Sequence, residues 1–326
     1  MALVKGEILI VKTTLIGSML SNLLLVMGMC FCLGGMNRDQ QFFNEGVAQT
    51  AASALALAIA ALIIPTAFRT WSGPSSHPNE TKVSDRATKG MEDGMAHLSR
   101  GTAIILFVVY GCYLIFQLKS HRHMYNEPSI KVEKRGKKPK GEPLKVTSQD
   151  ITGVAAVSGG DLTHNRIGTN AEERYEQETP NLSVLGAVIT LCLSTVFVAF
   201  CAEFMVDSIQ AVTCHGHISQ TFVGLILLPI VGNAAEHATA VTVAIKDKMD
   251  LAIGVAVGSS MQIALFILPF MVLLGWILGK DEMNMSFEGF QVAVLFVAIL
   301  LVNYLISDGK TREYSPSTKY LPRSMI

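Results

Sequence analysis

Long apolar stretches separated by short polar connectors dominate the chain. Seven such runs cover about 8–34, 47–68, 101–118, 183–214, 219–245, 250–279 and 287–307. Each is near or above the ~20 residues that a helix needs to cross a bilayer. The pattern predicts an all-α polytopic membrane protein with about seven transmembrane helices. Composition agrees. Of 326 residues, 50% are hydrophobic and only 16% are charged, against roughly 25% charged in soluble domains. Too few polar side chains remain to cover a water-facing surface, which excludes a soluble enzyme, a nucleic-acid binder and a disordered tail.

The formal net charge is zero, so no global field favours an anionic partner. Six cysteines (Cys30, Cys32, Cys112, Cys192, Cys201 and Cys214) lie in or at the edge of apolar runs and read as small hydrophobes. Met1–Glu7 has none of the marks of a cleavable signal peptide, so the first run is expected to act as its own insertion signal. Residues 121–182 combine charge, Pro and Gly without apolar periodicity and read as a mobile linker. Placing the polar stretch 119–182 that holds this linker in the cytosol, with 35–46, 246–249 and the tail after 307, puts 18 of the 26 Lys and Arg residues on the cytosolic side, the side where cationic loops accumulate. The segment 70–100, with Pro74 and Pro78, then reads as a non-cytosolic loop.

An internal repeat joins the two ends of the chain. TLIGSMLSNLLL (14–25) aligns without gaps with VAVGSSMQIALF (255–266), so that Gly17 meets Gly258, Ser18 meets Ser259 and Ser21 meets Gln262; further back, Val4-Lys5 meets Ile245-Lys246. The orientation above runs the two copies in opposite directions across the membrane, as in the inverted repeats of secondary transporters. Counting back from Glu236, its counterpart in the first copy falls before Met1. One half of the symmetric pair is therefore expected to be absent.

The second copy carries the candidate chemistry. Pro229, Gly232, Asn233, Glu236 and His237 interrupt the run 219–245. A carboxylate at mid-membrane costs at least ~2.5–3.5 kcal/mol and usually marks an ion or proton path. Pro229 removes a backbone donor and Gly232 frees the backbone, predicting a broken helix whose ends can hold a cation. Asn233 and Glu236, three apart, share a face, and oxygen ligands suit a hard cation. Ser259, Ser260 and Gln262 add neutral oxygen donors beside Gly258. One carboxylate can hold a proton or a divalent ion in turn, the simplest basis of antiport. The bland alternative makes Glu236 and His237 a pair that only fixes packing. His237 reads equally as a proton acceptor or a steric gate. Glu203 and Asp207 line an access path or mark a wet helix end. Cys214-His215-Gly216-His217 is either a metal-binding stretch or a solvated loop.

GNAAEH (232–237) followed by AIKDKMDLAIGVAVGSSMQIALFILPFMVLLGW (244–276), with NYLISDG (303–309) and GSMLSNLLLVMG (17–28), closely resembles calcium/proton exchangers of the cation/calcium exchanger superfamily, in particular fungal vacuolar members. The resemblance implies about eleven helices, one extra plus two inverted repeats of five. It divides the chain into an incomplete first repeat (1–120), the linker (121–182), a second repeat lacking its last helix (183–309) and a polar non-family tail (310–326). Carried over by position, Glu236 becomes the cation and proton ligand, with Asn233, Ser259, Gln262, Ser18 and Ser21 around it. Two facing glutamates are the family pattern, so the chain is expected to be truncated at both ends and impaired in transport. The implied activity is exchange of calcium, or a related divalent such as manganese, for protons across the vacuolar membrane. That is secondary transport rather than enzymology, with no cofactor. Its partners are calcium, protons and the lipid bilayer, and a homo-oligomer is left open. The alternative is a non-transporting membrane protein or a regulatory partner of an intact exchanger. A third reading is a sodium-coupled relative.

Overall fold

The computed structural model describes residues 2–36, 38, 40–72, 81–122, 183–216, 218–307 and 310–312. A short helix, α1 (Ala2–Lys5), leads into α2 (Ile8–Gly35), whose middle opens into a π-helical segment at Ser21–Val26. A short strand, β1 (Gln40–Phe42), precedes α3 (Glu45–Ser72); α4 (Thr81–Ile115) follows and ends in a π turn, Phe116–Ser120. Helix α5 spans Val184–Gly216. Helices α6 (Gln220–Gly232) and α7 (Ala234–Ile245) form a bent pair, followed by α8 (Met249–Ile277) and α9 (Gly289–Ile306). Strand β2 (Lys310–Arg312) pairs antiparallel with β1.

Six helices are long and apolar enough to cross a bilayer, and the bent pair makes a seventh if counted as one span. At ~1.5 Å per residue, the 28 residues of α2 exceed a ~30 Å hydrocarbon core. Large apolar side chains such as Ile64, Ile104, Ile105, Leu300 and Leu301 stay exposed, as lipid-facing positions do. The segment read as a loop over 70–100 is helical from Thr81 onward. Its polar residues form the start of a helix that continues into the apolar run, because Gly90 and Gly94 weaken a helix without stopping it.

The chain divides into two compact units, 1–135 with 204–326, and 136–203. In the first, α3 and α9 lie side by side, and α8 packs on α2, α3 and α7 around a buried core that includes Ile16, Met19, Leu55, Leu62, Val257, Leu265 and Leu268.

The internal repeat reaches well beyond the matched Gly-Ser. Met19 and Ser260, 241 residues apart, touch: Ser260 Oγ donates to the Met19 carbonyl at 3.3 Å. That separation is the repeat offset, and equivalent positions meet only on the axis that relates two copies. The same offset carries the first residue of α2, Ile8, onto the first of α8, Met249. It carries Met27 onto Leu268, where regular α-helix resumes after each π segment. It also carries Gly6 (φ 84°) onto Asp247 (φ 64°), both left-handed. The inverted-repeat frame is thus written in the backbone.

Candidate functional site

Helix α6 changes from π to α geometry at Leu228-Pro229, where proline supplies no amide hydrogen and occupies the first turn of Leu228–Gly232. The chain bends by 53° between Gly232 and Ala234. The pivot is Asn233 (φ −96°, ψ 16°), whose amide still reaches the Pro229 carbonyl at 3.0 Å while its own carbonyl accepts from His237 at 2.9 Å. The break therefore sits one residue beyond the glycine expected to permit it.

Asn233, Glu236 and His237 share one face of α7, being three and four residues apart. Both ends of that face touch the middle of α2. Asn233 Nδ2 donates to the Ser18 carbonyl and to Asn22 Oδ1, each at 3.3 Å. His237 Nε2 is hydrogen-bonded to Ser21 Oγ at 3.1 Å. Glu236 lies on the same face, half-buried, and makes no hydrogen bond or ion pair among the described residues. Helices α7 and α8 run antiparallel about the turn at 246–248, and Glu236 and Gly258 each stand eleven residues from Asp247. Glu236 thus lies at the depth of Gly258 and Ser259.

Proximity sorts the remaining candidates. Ser18 takes part through its backbone carbonyl rather than its hydroxyl. Ser259 is half-buried and Gln262 exposed, and neither side chain is hydrogen-bonded among the described residues. Ser260 is buried and spent on the Met19 and Ala256 carbonyls. Asp207 pairs with Lys5, while Glu203 falls in the other unit. His217 lies outside the described residues, as do the side chains of Cys214 and His215.

Asn22 is the residue that sequence reasoning missed. It is 1% exposed, its oxygen accepts from Asn233, and its Nδ2 has no partner among the described residues. The signal was present: an amide inside an apolar run, next to Ser21 and four residues after Ser18, carries the same insertion penalty that singled out Glu236.

The cluster thus offers one carboxylate, two carboxamides, a hydroxyl and a backbone carbonyl, all hard oxygen donors. No three His, Cys, Asp or Glu side chains gather among the described residues. Soft thiolate coordination has no basis in this cluster, whereas a hard cation matches the donor set.

The packing that positions α2 is tight on one side. A Cβ at Gly17 would lie 2.6 Å from Pro229 Cγ and collide with the Leu225 carbonyl, and one at Gly224 would collide with Thr13 Oγ1. On α8, Gly258, the counterpart of Gly17, and Gly254, the counterpart of Thr13, have nothing within 4 Å of such a Cβ among the described residues. One copy's small-residue face is filled and the other's is open.

Comparison with known proteins agrees with this architecture. The sequence profile described as "Sodium/calcium exchanger protein" matches residues 1–119 and 186–319. The chain belongs to that family. Among curated relatives, it is 40% identical over 311 residues to the vacuolar calcium ion transporter of Schizosaccharomyces pombe, covering 95% of this chain and 62% of that protein. It is 38% identical to the Cryptococcus neoformans vacuolar calcium ion transporter, over 95% of this chain and 57% of that protein. A Ca(2+)/H(+) antiporter of Aphanothece halophytica is 35% identical, over 95% of this chain and 71% of its own length. The exchanger chain therefore spans about three fifths of the two fungal relatives' length. Among solved structures, native YfkE superposes with a TM-score of 0.62 at 27% identity, over 94% of this chain and 70% of that one. A second structure, titled a Ca2+/H+ antiporter protein YfkE, gives 0.60 at 28% identity, over 92% of this chain and 69% of that one.

Proposed function

We propose that this exchanger chain carries the second-repeat half of a divalent cation/proton antiport site, with Glu236 taking calcium and protons in turn. The observation that carries the reading is Glu236, half-buried and without hydrogen bond or ion pair among the described residues, on the helix whose Asn233 and His237 bond Ser18, Asn22 and Ser21 of the other copy. Calcium takes roughly six to eight oxygens. The proposed set is Glu236, the amide oxygens of Asn22 and Asn233, the Ser18 carbonyl and the Ser21 hydroxyl, with Ser259 and Gln262 from α8. The orphan Nδ2 of Asn22 supports this. An amide held by one bond can turn its oxygen toward an arriving cation at little cost.

Exchange follows from competition. A proton and a divalent ion both claim the carboxylate oxygens, and a bound divalent ion favours the ionised form. Arrival of calcium therefore expels the proton, and a proton arriving from the other side releases calcium. His237, fixed by Ser21, stands beside Glu236 as the proton acceptor. The relatives' printed names support calcium as the cation and the vacuole as the location, while the excess of Lys and Arg supports a cytosolic linker 121–182.

One carboxylate neutralises half the charge of a divalent ion. The open Gly254/Gly258 face on α8, whose counterpart on α2 is filled by α6, is where a second carboxylate-bearing helix would complete the site. That face also favours a second reading, in which residues 1–326 alone do not transport. The test is proton-driven calcium uptake into proteoliposomes. The antiport reading expects uptake that disappears on Glu236→Gln in any product that transports. Uptake that survives this substitution would refute the site, and uptake by purified 1–326 alone would remove the second reading.

A further inference from the structure

At the end of the bundle where α2 and α7 finish, two connectors meet, one from each copy. Arg38, in the α2–α3 connector, places its guanidinium Nε 3.5 Å from Asp247 Oδ1 in the α7–α8 turn, and the two side chains are only 6% and 5% exposed. Arg38 Nη1 also donates to the Ile245 carbonyl at 3.0 Å. Gln41 Nε2 donates to both the Ala244 carbonyl and Asp247 Oδ1, each at 3.0 Å. The Asn44 amide donates to Asp250 Oδ1. These bonds cross from the first copy to the second.

The opposite end is built differently. Applying the offset of 241 seen at Met19 and Ser260, Arg38 falls on Gly279 and Asp247 on Gly6. Both glycines are left-handed, at φ 69° and 84°. Asp247 is the sole described non-glycine residue with positive φ, a conformation that glycine adopts freely and most other residues rarely take. The opposite end is tied by Lys12, which donates to Asn284 Oδ1 at 2.8 Å and to the Ser286 carbonyl at 3.2 Å, and its ion pairs, Arg100–Asp281 and Lys5–Asp207, stand with their carboxylates exposed. A buried ion pair is weak evidence for stability and better evidence for a specified arrangement. Here it is retained at one end, on a strained backbone, where the symmetric position manages with glycine.

We propose that Arg38, Gln41 and Asp247 form a latch that holds the two inverted copies together at this end. Among the described residues the latch has no buried counterpart at the Gly6/Gly279 end, where the ion pairs are exposed. The latch itself is tested without transport.

Amide hydrogen exchange on the chain in lipid nanodiscs reads it directly. Asp247→Gly removes the carboxylate while suiting the backbone, and Arg38→Gln/Asp247→Gly removes both charges, so neither is left buried alone. The latch predicts exchange about tenfold faster at 40–44 and 245–248 in both variants, with 6–8 and 278–285 within about twofold of the original. Unchanged protection at 40–44 in the double variant, or an equal rise at both ends, would overturn it. Neither result depends on whether Glu236 binds calcium.

Discussion

The two copies of the repeat share a backbone and differ in what covers it. Helices α2 and α8 start and resume α geometry at matching positions, and switch to π geometry within one residue of each other, yet the small-residue face of α2 is filled by α6 while that of α8 stands open among the described residues. Fold geometry in this family is therefore carried by the repeat itself. The site is carried by what packs against it. A Gly-Ser pair marks where a helix can approach, and the helix that arrives supplies the charge. On α2 that helix continues through the break at Asn233 into the face bearing Glu236.

The largest effect expected from breaking this comparison is at the charge. Glu236→Gln should lower proton-driven uptake by about two orders of magnitude or more, since cation affinity follows the charge count of the ligands. Its thermal melting in detergent should stay level or rise, because a neutral amide is easier to hold in a membrane. A melting transition that collapses instead would make Glu236 a packing residue.

The packing half of the comparison comes next. In 1–326, Gly17→Ala should destabilise by about 1–3 kcal/mol in reversible unfolding from mixed micelles, because the new methyl meets backbone. Gly258→Ala should change stability by less than about 0.5 kcal/mol. Equal effects would mean that the two faces are not differently covered. A product in which another helix fills the α8 face should make Gly258→Ala as costly as Gly17→Ala.

Smaller effects separate the polar neighbours. Asn22→Ala is expected to weaken calcium binding about tenfold, the loss of one amide ligand or about 1.4 kcal/mol, as read by calcium titration. Ser21→Ala removes one hydrogen bond to His237, a net loss of about 1 kcal/mol, and should leave initial uptake rates within about threefold of the original. An Asn22 variant as mild as the Ser21 variant would confine the cation to α7 and α8.

Much of this was legible in the chain. Long apolar runs give the spans because lipid demands them, and the Gly-Ser match gives the repeat because close helix approach needs small residues. Glu236 stood out because a carboxylate is costly at that depth. Other features were hidden for physical reasons. The helix over 81–100 reads as a loop because its polar face mimics one, while its interior glycines only weaken it. The pivot lands on Asn233 rather than on Gly232 or Pro229, since Pro229 sits in a first turn where it is tolerated. Asn22 was visible as an amide in an apolar run, but its partner Asn233 is evident only when α7 lies against it. The Arg38–Asp247 pair joins residues more than two hundred positions apart, and nothing in the apolar pattern brings them together.

The central claim is that calcium and a proton compete for Glu236. Calcium titrations of the chain in micelles, repeated at several pH values from about 5 to 7, test it most directly. Competition at one carboxylate predicts affinity rising about tenfold per pH unit wherever the calcium-free site holds a proton, and no such slope in Glu236→Gln. The same slope in both proteins, or none in the unsubstituted chain, would contradict the account.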